Sequence, residues 1–96
     1  MRKKKSSTEK ESFGTWVRRR REELGLSKAA LAREAHLGNY TIARIEDGAY
    51  PNYWTLVALL SVLGRPPRKV MLTLTPAERM AAERAAMHAV QMKGGE

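Results

Sequence analysis

The chain contains no cysteine, which excludes a disulfide framework, a thiolate metal site and a thiol nucleophile, and suits a reducing compartment. It also lacks any apolar run approaching the ~20 residues of a membrane-spanning helix, so no membrane partner is expected. The opening MRKKK leads into the polar SSTEKES rather than an apolar core and does not read as a secretory leader. No glycine-rich phosphate loop, no paired carboxylates placed for a cleft and no cluster of histidine with acids is present. One Ser-x-x-Lys spacing occurs at Ser7 and Lys10. It lies in a segment with no packed shell to lower an amine's pKa, and is read as chance. Neither catalysis nor a cofactor nor a metal is therefore expected. Acidic residues are scarce too: 10 stand against 18 Lys and Arg, a net charge of +8 over 96 residues. That balance favours a polyanionic partner, nucleic acid ahead of an anionic membrane surface. The length admits one small domain with tails and no second core.

What is present centres on SKAALAREAHLGNYTIARIEDG, residues 27–48. A capped helix, a short turn and a second helix follow one another there, which is a helix-turn-helix. Ser27 can accept a hydrogen bond from an early helical N–H, and Leu31, Ala32 and Ala35 then share one face. His36-Leu37-Gly38 forms the turn; His36 is expected to serve the turn, because its titratable companions Glu34 and His88 make no ligand spacing. Beyond it Ile42 and Ile45 repeat at i and i+3. Asn39, Tyr40, Thr41 and Arg44 point elsewhere and could read base edges.

The ordered spacing of Phe13-Gly14, Val17, Arg21, Leu24-Gly25-Leu26-Ser27, Leu31-Ala32, Ala35, Leu37, Thr41-Ile42, Arg44-Ile45-Glu46, Gly48, Pro51, Leu56, Leu59 and Leu63-Gly64 resembles the Cro/repressor-type (Xre-like) helix-turn-helix family. That resemblance implies an all-α, lambda-repressor-like domain of five to six helices with a helix-turn-helix and a C-terminal helix. It would cover residue 12 to 64 or somewhat beyond. It implies that the helix beginning near Asn39 enters the major groove of double-stranded DNA, that Arg21 pairs with Glu46 as a structural ion pair, and that Asn52 and Tyr53 lie near phosphate. Lys28 stands where the family frequently has Gln, and can hold a phosphate only as a point charge. Gly38 stands where Ser often caps the third helix. Asn39 is therefore an alternative cap, with the helix starting one residue late.

Around this unit, residues 1–11 read as a flexible basic arm. Arg2, Lys3, Lys4 and Lys5 could wrap a duplex, or remain a solvated tail. Ser12 is a cap for a first helix of about 13–24 with Phe13, Val17 and Leu24 on one stripe and Gly25 as its stop. Among Arg18 to Arg21, one pairs with Glu46, Arg18 is a phosphate candidate, and Arg20 either lays its stem on the core or narrows the stripe. Arg44 can grip guanine or pair with Asp47 at i+3. Asn52 caps a fourth helix of about 53–63, and for Asn52 and Tyr53 a cap and a half-buried ring are equally good accounts. This helix is apolar nearly all round, with Trp54, Val57, Ala58 and Val62 beyond its leucines, so something should cover it.

Residues 66–96 are expected to supply the cover as a C-terminal helical extension, with 68–74 a short helix or a strand. Thr75-Pro76-Ala77-Glu78 is a capping box that opens a last helix of about 76–92. Trp54, Ala58, Met80 and Met87 are candidate interface residues, either packed within the chain or across a two-fold homodimer. The leading expectation is a sequence-specific DNA-binding regulator in the cytoplasm, nucleoid-associated when bound, of the small-repressor kind known from phages and bacteria. The alternative is an antitoxin or adaptor whose main role is a protein partner, with DNA binding for autoregulation.

Overall fold

Four of the helices begin where a side-chain oxygen takes over a backbone N–H that the helix itself leaves open. In the computed structural model, which describes residues 10–94, the order is α1 (Phe13–Glu23), α2 (Lys28–Ala35), α3 (Asn39–Glu46), α4 (Tyr53–Leu63), α5 (Arg68–Met71) and α6 (Pro76–Gly94). No strand occurs among the described residues. Ser12 accepts from the Thr15 N–H at 3.2 Å, Ser27 from Ala30 at 3.0 Å and Asn52 from Thr55 at 2.9 Å. At α6 the bonding is reciprocal: Thr75 Oγ1 accepts from the Glu78 N–H while Glu78 Oε1 accepts from the Thr75 N–H. Each such cap contributes ~1 kcal/mol.

Helix ends follow the same local logic. Gly25, at φ 74°, turns the chain out of α1, and His36 closes α2 in the left-handed region at φ 58° and ψ 42°. The Leu37 N–H then reaches back to the Ala32 carbonyl at 2.7 Å, which satisfies an orphan acceptor and makes the non-glycine conformation tolerable. Two boundary expectations are corrected here. Leu24 does not continue the buried stripe; it is the exposed C-cap of α1, because the chain has already begun to leave the helix, and Trp16 and Leu26 supply the apolar contacts instead. The cap of α3 is Gly38, not Asn39, so Asn39 is the first helical residue and α3 starts without a side-chain cap. Of residues 68–74, left open between helix and strand, 68–71 form the short helix α5 and 72–74 turn the chain toward α6.

The core is built from Val17, Leu31, Ile42, Leu56, Leu59, Leu63 and Val70, all fully buried, with Phe13 and Trp16 beside them. Close packing of this kind stabilises through removal of apolar surface from water, ~25 cal/mol per Å². One backbone approach is unusually tight. A Cβ placed on Gly14 would lie 2.5 Å from the Ile45 carbonyl oxygen and 3.0 Å from that of Glu46, so only glycine lets α1 meet the last turn of α3. On the other side α6 lies along α4, burying Ala82, Ala85, Ala86 and Ala89 in the same core. Small side chains there allow close helix approach. This covers one side of α4 and leaves Trp54, one of the candidate interface residues, 64% exposed.

Candidate nucleic-acid interface

α3 is eight residues long and divided lengthwise. Ile42 and Ile45 are buried on its inner flank, whereas Asn39, Tyr40, Arg44 and Asp47 are exposed on the outer one, Tyr40 to 72%. At 3.6 residues per turn the outer residues fall within one arc, so they share one surface. Ala43 lies in the same arc, half-buried between them. Sequence reasoning passed over it because it carries no polar group; its small methyl leaves the middle of the arc without a bulky side chain. Thr41 sits at the edge of the arc, half-buried.

The guanidinium of Arg44 lies over the Tyr40 ring, 5.7 Å from its centroid. It is stacked one turn back rather than paired forward with Asp47, which corrects the ion-pair alternative. An exposed contact of this type contributes only ~0.5–1 kcal/mol. That is enough to narrow the side chain's search and small enough to be exchanged for a stronger partner.

The placement of α3 depends on Arg21. Its Nε donates to Glu46 Oε2 at 2.6 Å and one terminal nitrogen to Oε1 at 3.2 Å, while the other donates to the Leu26 carbonyl at 2.9 Å. The two side chains are 10% and 4% exposed, so the fork is shielded from solvent. The carboxylate beside it raises the pKa of this guanidinium further above its ordinary value, against a smaller opposing effect of burial. One residue thus joins α1, the α1–α2 turn and the end of α3.

The expected phosphate contacts fall into three groups. Lys28, the first residue of α2, is exposed, and Arg18 is exposed with Glu22 at 3.6 Å on its own helix. Asn52 uses its carbonyl oxygen to cap α4, which leaves its amide nitrogen as the available donor. Tyr53 follows the other account left open by the sequence, a half-buried ring: its hydroxyl meets His88 Nδ1 at 2.7 Å, an interhelix contact to α6. Arg2, Lys3, Lys4 and Lys5 lie outside the described residues. Arg20 resolves its alternatives by laying its stem inward and donating from Nε to the Leu63 carbonyl at 2.9 Å, closing the end of α4.

Two anchors had no short-range signal. Arg19 holds Glu11 through two bonds of 2.9 Å, Lys69 adds a contact at 3.6 Å, and the Glu11 N–H donates to the Lys69 carbonyl. The guanidinium's hydrogen bonds hold the Glu11 carboxyl below its ordinary pKa of 4.5. Tyr50 packs on Phe13 at 5.2 Å and donates to the Glu78 carbonyl at 3.3 Å. Burial pushes its phenol up to about 12, so it stays protonated and able to donate.

Of the candidate interface residues, Met80 and Met87 are each 65% exposed, and Ala58 is half-buried. No group of three or more potential metal ligands and no helix long and apolar enough to cross a membrane occurs among the described residues. A family model described as a helix-turn-helix domain matches residues 12–71, the stretch from the cap of α1 through α5. No curated protein and no solved structure matches the chain.

Proposed function

Because the chain belongs to the helix-turn-helix domain family, we propose that it is a sequence-specific regulator of transcription that binds double-stranded DNA, in its simplest form a small repressor occupying an operator, with α3 seated in the major groove. The observation that carries this reading is the division of α3: an outer flank of Asn39, Tyr40 and Arg44 on a helix whose inner flank is core and whose end is clamped by Arg21. Asn39 can pair through its amide with adenine N6 and N7, and Arg44 can leave the Tyr40 ring to grip guanine O6 and N7. Each such contact discriminates against the wrong base by ~1–3 kcal/mol. The Ala43 methyl is suited to a thymine methyl.

Position on the duplex comes from groups without base preference. Lys28, Arg18, the Asn52 amide and the basic arm of Arg2, Lys3, Lys4 and Lys5 supply charge and donors for phosphate. The first N–H groups of α3, which no side chain caps, add neutral donors at the groove edge. The assembly that fits this use is a homodimer on a palindromic site, with its two α3 helices about one DNA turn, roughly 34–36 Å, apart. Arg21 and Glu46 have no direct part; they set the angle at which the flank is presented.

Selection of bound sites from random duplex tests the proposal. An enriched motif is expected, and Asn39→Ala or Arg44→Ala should each flatten preference at one base position while leaving the salt dependence nearly unchanged. Deletion of residues 1–5 should weaken all duplexes alike and make the salt dependence shallower. Scrambled duplex binding as tightly as any enriched motif would overturn it.

A further inference from the structure

Away from α3, the α4–α6 pair carries four of the large exposed apolar side chains: Trp54 and Met80 toward the start of α4, and Met87 and Val90 toward its end, where they line a second groove with Leu60 and Gly64. Trp54 is 64% exposed, and Met80 and Met87 are 65% exposed. The indole is joined to α6 through His88, whose ring lies 5.2 Å from it and whose Nδ1 meets the Tyr53 hydroxyl. Between the start of α4 and α6 runs a groove of about 300 Å³ lined by Tyr53, Ala77, Met80, Ala81 and Arg84. An exposed tryptophan next to a groove that holds a methionine is the composition of a docking surface, since the ring supplies area at low entropy cost and a thioether adapts to what it meets.

Charge decides what fits. Along the outer stripe of α6 the residues are Ala77, Met80, Ala81, Arg84, Met87, His88 and Gln91: a cation at the centre and no carboxylate. The nearest acids of the helix are committed elsewhere, Glu83 to Arg65 at 2.6 Å and Glu78 to the Thr75 N–H. The same face of a second copy would therefore bury Arg84 against a surface that offers it no carboxylate, in a pair of chains each carrying +8. An unpaired buried guanidinium opposes association strongly. We propose that this face docks an acidic amphipathic helix of another protein, which inserts an apolar side chain into the groove beside Trp54 and sets a carboxylate against Arg84. The surface does not include the outer flank of α3, and it adjoins the proposed phosphate contacts at Asn52, the residue before Tyr53.

The test uses the full chain, immobilised, to select from a displayed library of helical peptides randomised along one face, with Trp54→Ser and, separately, Met80→Ser chains as counter-selection. Winners should combine Leu, Ile or Phe with Glu or Asp. Their affinity for the Arg84→Glu chain should fall by about tenfold or more and be regained when the facing glutamate of the peptide becomes lysine. Both surface variants should melt as the parent does and bind the enriched duplex unchanged, which separates failure here from failure of the DNA reading. Winners without net negative charge, equal affinity for Arg84→Glu, or an absence of winners that survive counter-selection would overturn the proposal. So would sedimentation showing a dimer that Trp54→Ser dissociates.

Discussion

α3 and α6 are each buried along one side and exposed along the other, but they are held by different proportions of apolar packing and directional contact. The eight residues of α3 are fixed by directional contacts: the Arg21 fork on Glu46 and a backbone approach that only Gly14 permits. The nineteen residues of α6 rest on α4 mainly through alanines, with the Tyr53–His88 contact between the two helices and with Arg65 and Tyr50 bonding at the margin. Apolar packing is strong in sum but does not point anywhere. A helix that must present two or three side chains to base edges needs its position held to a fraction of an ångström, and hydrogen bonds with fixed geometry provide that. A helix that docks an adaptable partner does not.

The largest expected effect separates the two. Arg21→Ala leaves the Glu46 carboxylate buried without its partner and should cost about 3–5 kcal/mol in chemical denaturation. Replacing both partners by apolar residues, Arg21→Met with Glu46→Leu, should restore most of that stability while affinity for the enriched duplex stays reduced. Recovery of both together would show that the pair does not position α3. Gly14→Ala comes next: its methyl must push against the Ile45 carbonyl, for a loss of about 2–3 kcal/mol and weakened specific binding.

Ala85→Leu, in the α4–α6 contact, should destabilise by about 1–2 kcal/mol but leave base preference intact, because α6 can shift without moving α3. A changed motif for that variant would erase the distinction between the two helices. The smallest effect concerns a tie outside both helices, the one that joins the segment before α1 to α1 and α5. Arg19 lowers the pKa of Glu11 in the folded chain, so the Glu11 bond contributes stability above pH 4.5 that is lost as pH falls through its lowered folded value. In thermal melts across that range Arg19→Gln should flatten the acid limb, and an unchanged limb would remove Glu11 from the account.

Local features of the fold were legible because their physics spans three or four residues. Ser12, Ser27, Asn52 and the Thr75–Glu78 box each marked a helix start, and Gly25 marked an end. The Arg21–Glu46 contact, 25 residues apart, was reachable only through the resemblance of the surrounding spacing to a known family. The attachment of Glu11 to α5 was not reachable at all, because an acid in a charged segment looks the same whether solvated or bridged. Leu24 shows the opposite failure: periodicity assigns it to the core, while the chain's exit from α1 puts it in water. At the candidate interface, side-chain polarity singled out Asn39, Tyr40, Thr41 and Arg44, of which Thr41 is half-buried at the edge of the arc. The Arg44–Tyr40 stacking, the outward placement of Ala43 and the turning of Tyr53 toward His88 required the packed geometry.

Chemical protection of guanine N7, the atom that faces the major groove, examines the role of α3 most directly. On the enriched duplex the parent chain should shield specific guanines from methylation, and Arg44→Ala should lose that shielding at one guanine per bound α3 while retaining the rest. Shielding that Arg44→Ala leaves intact, or that is absent from N7 in the parent complex, would contradict the placement of this helix in the groove.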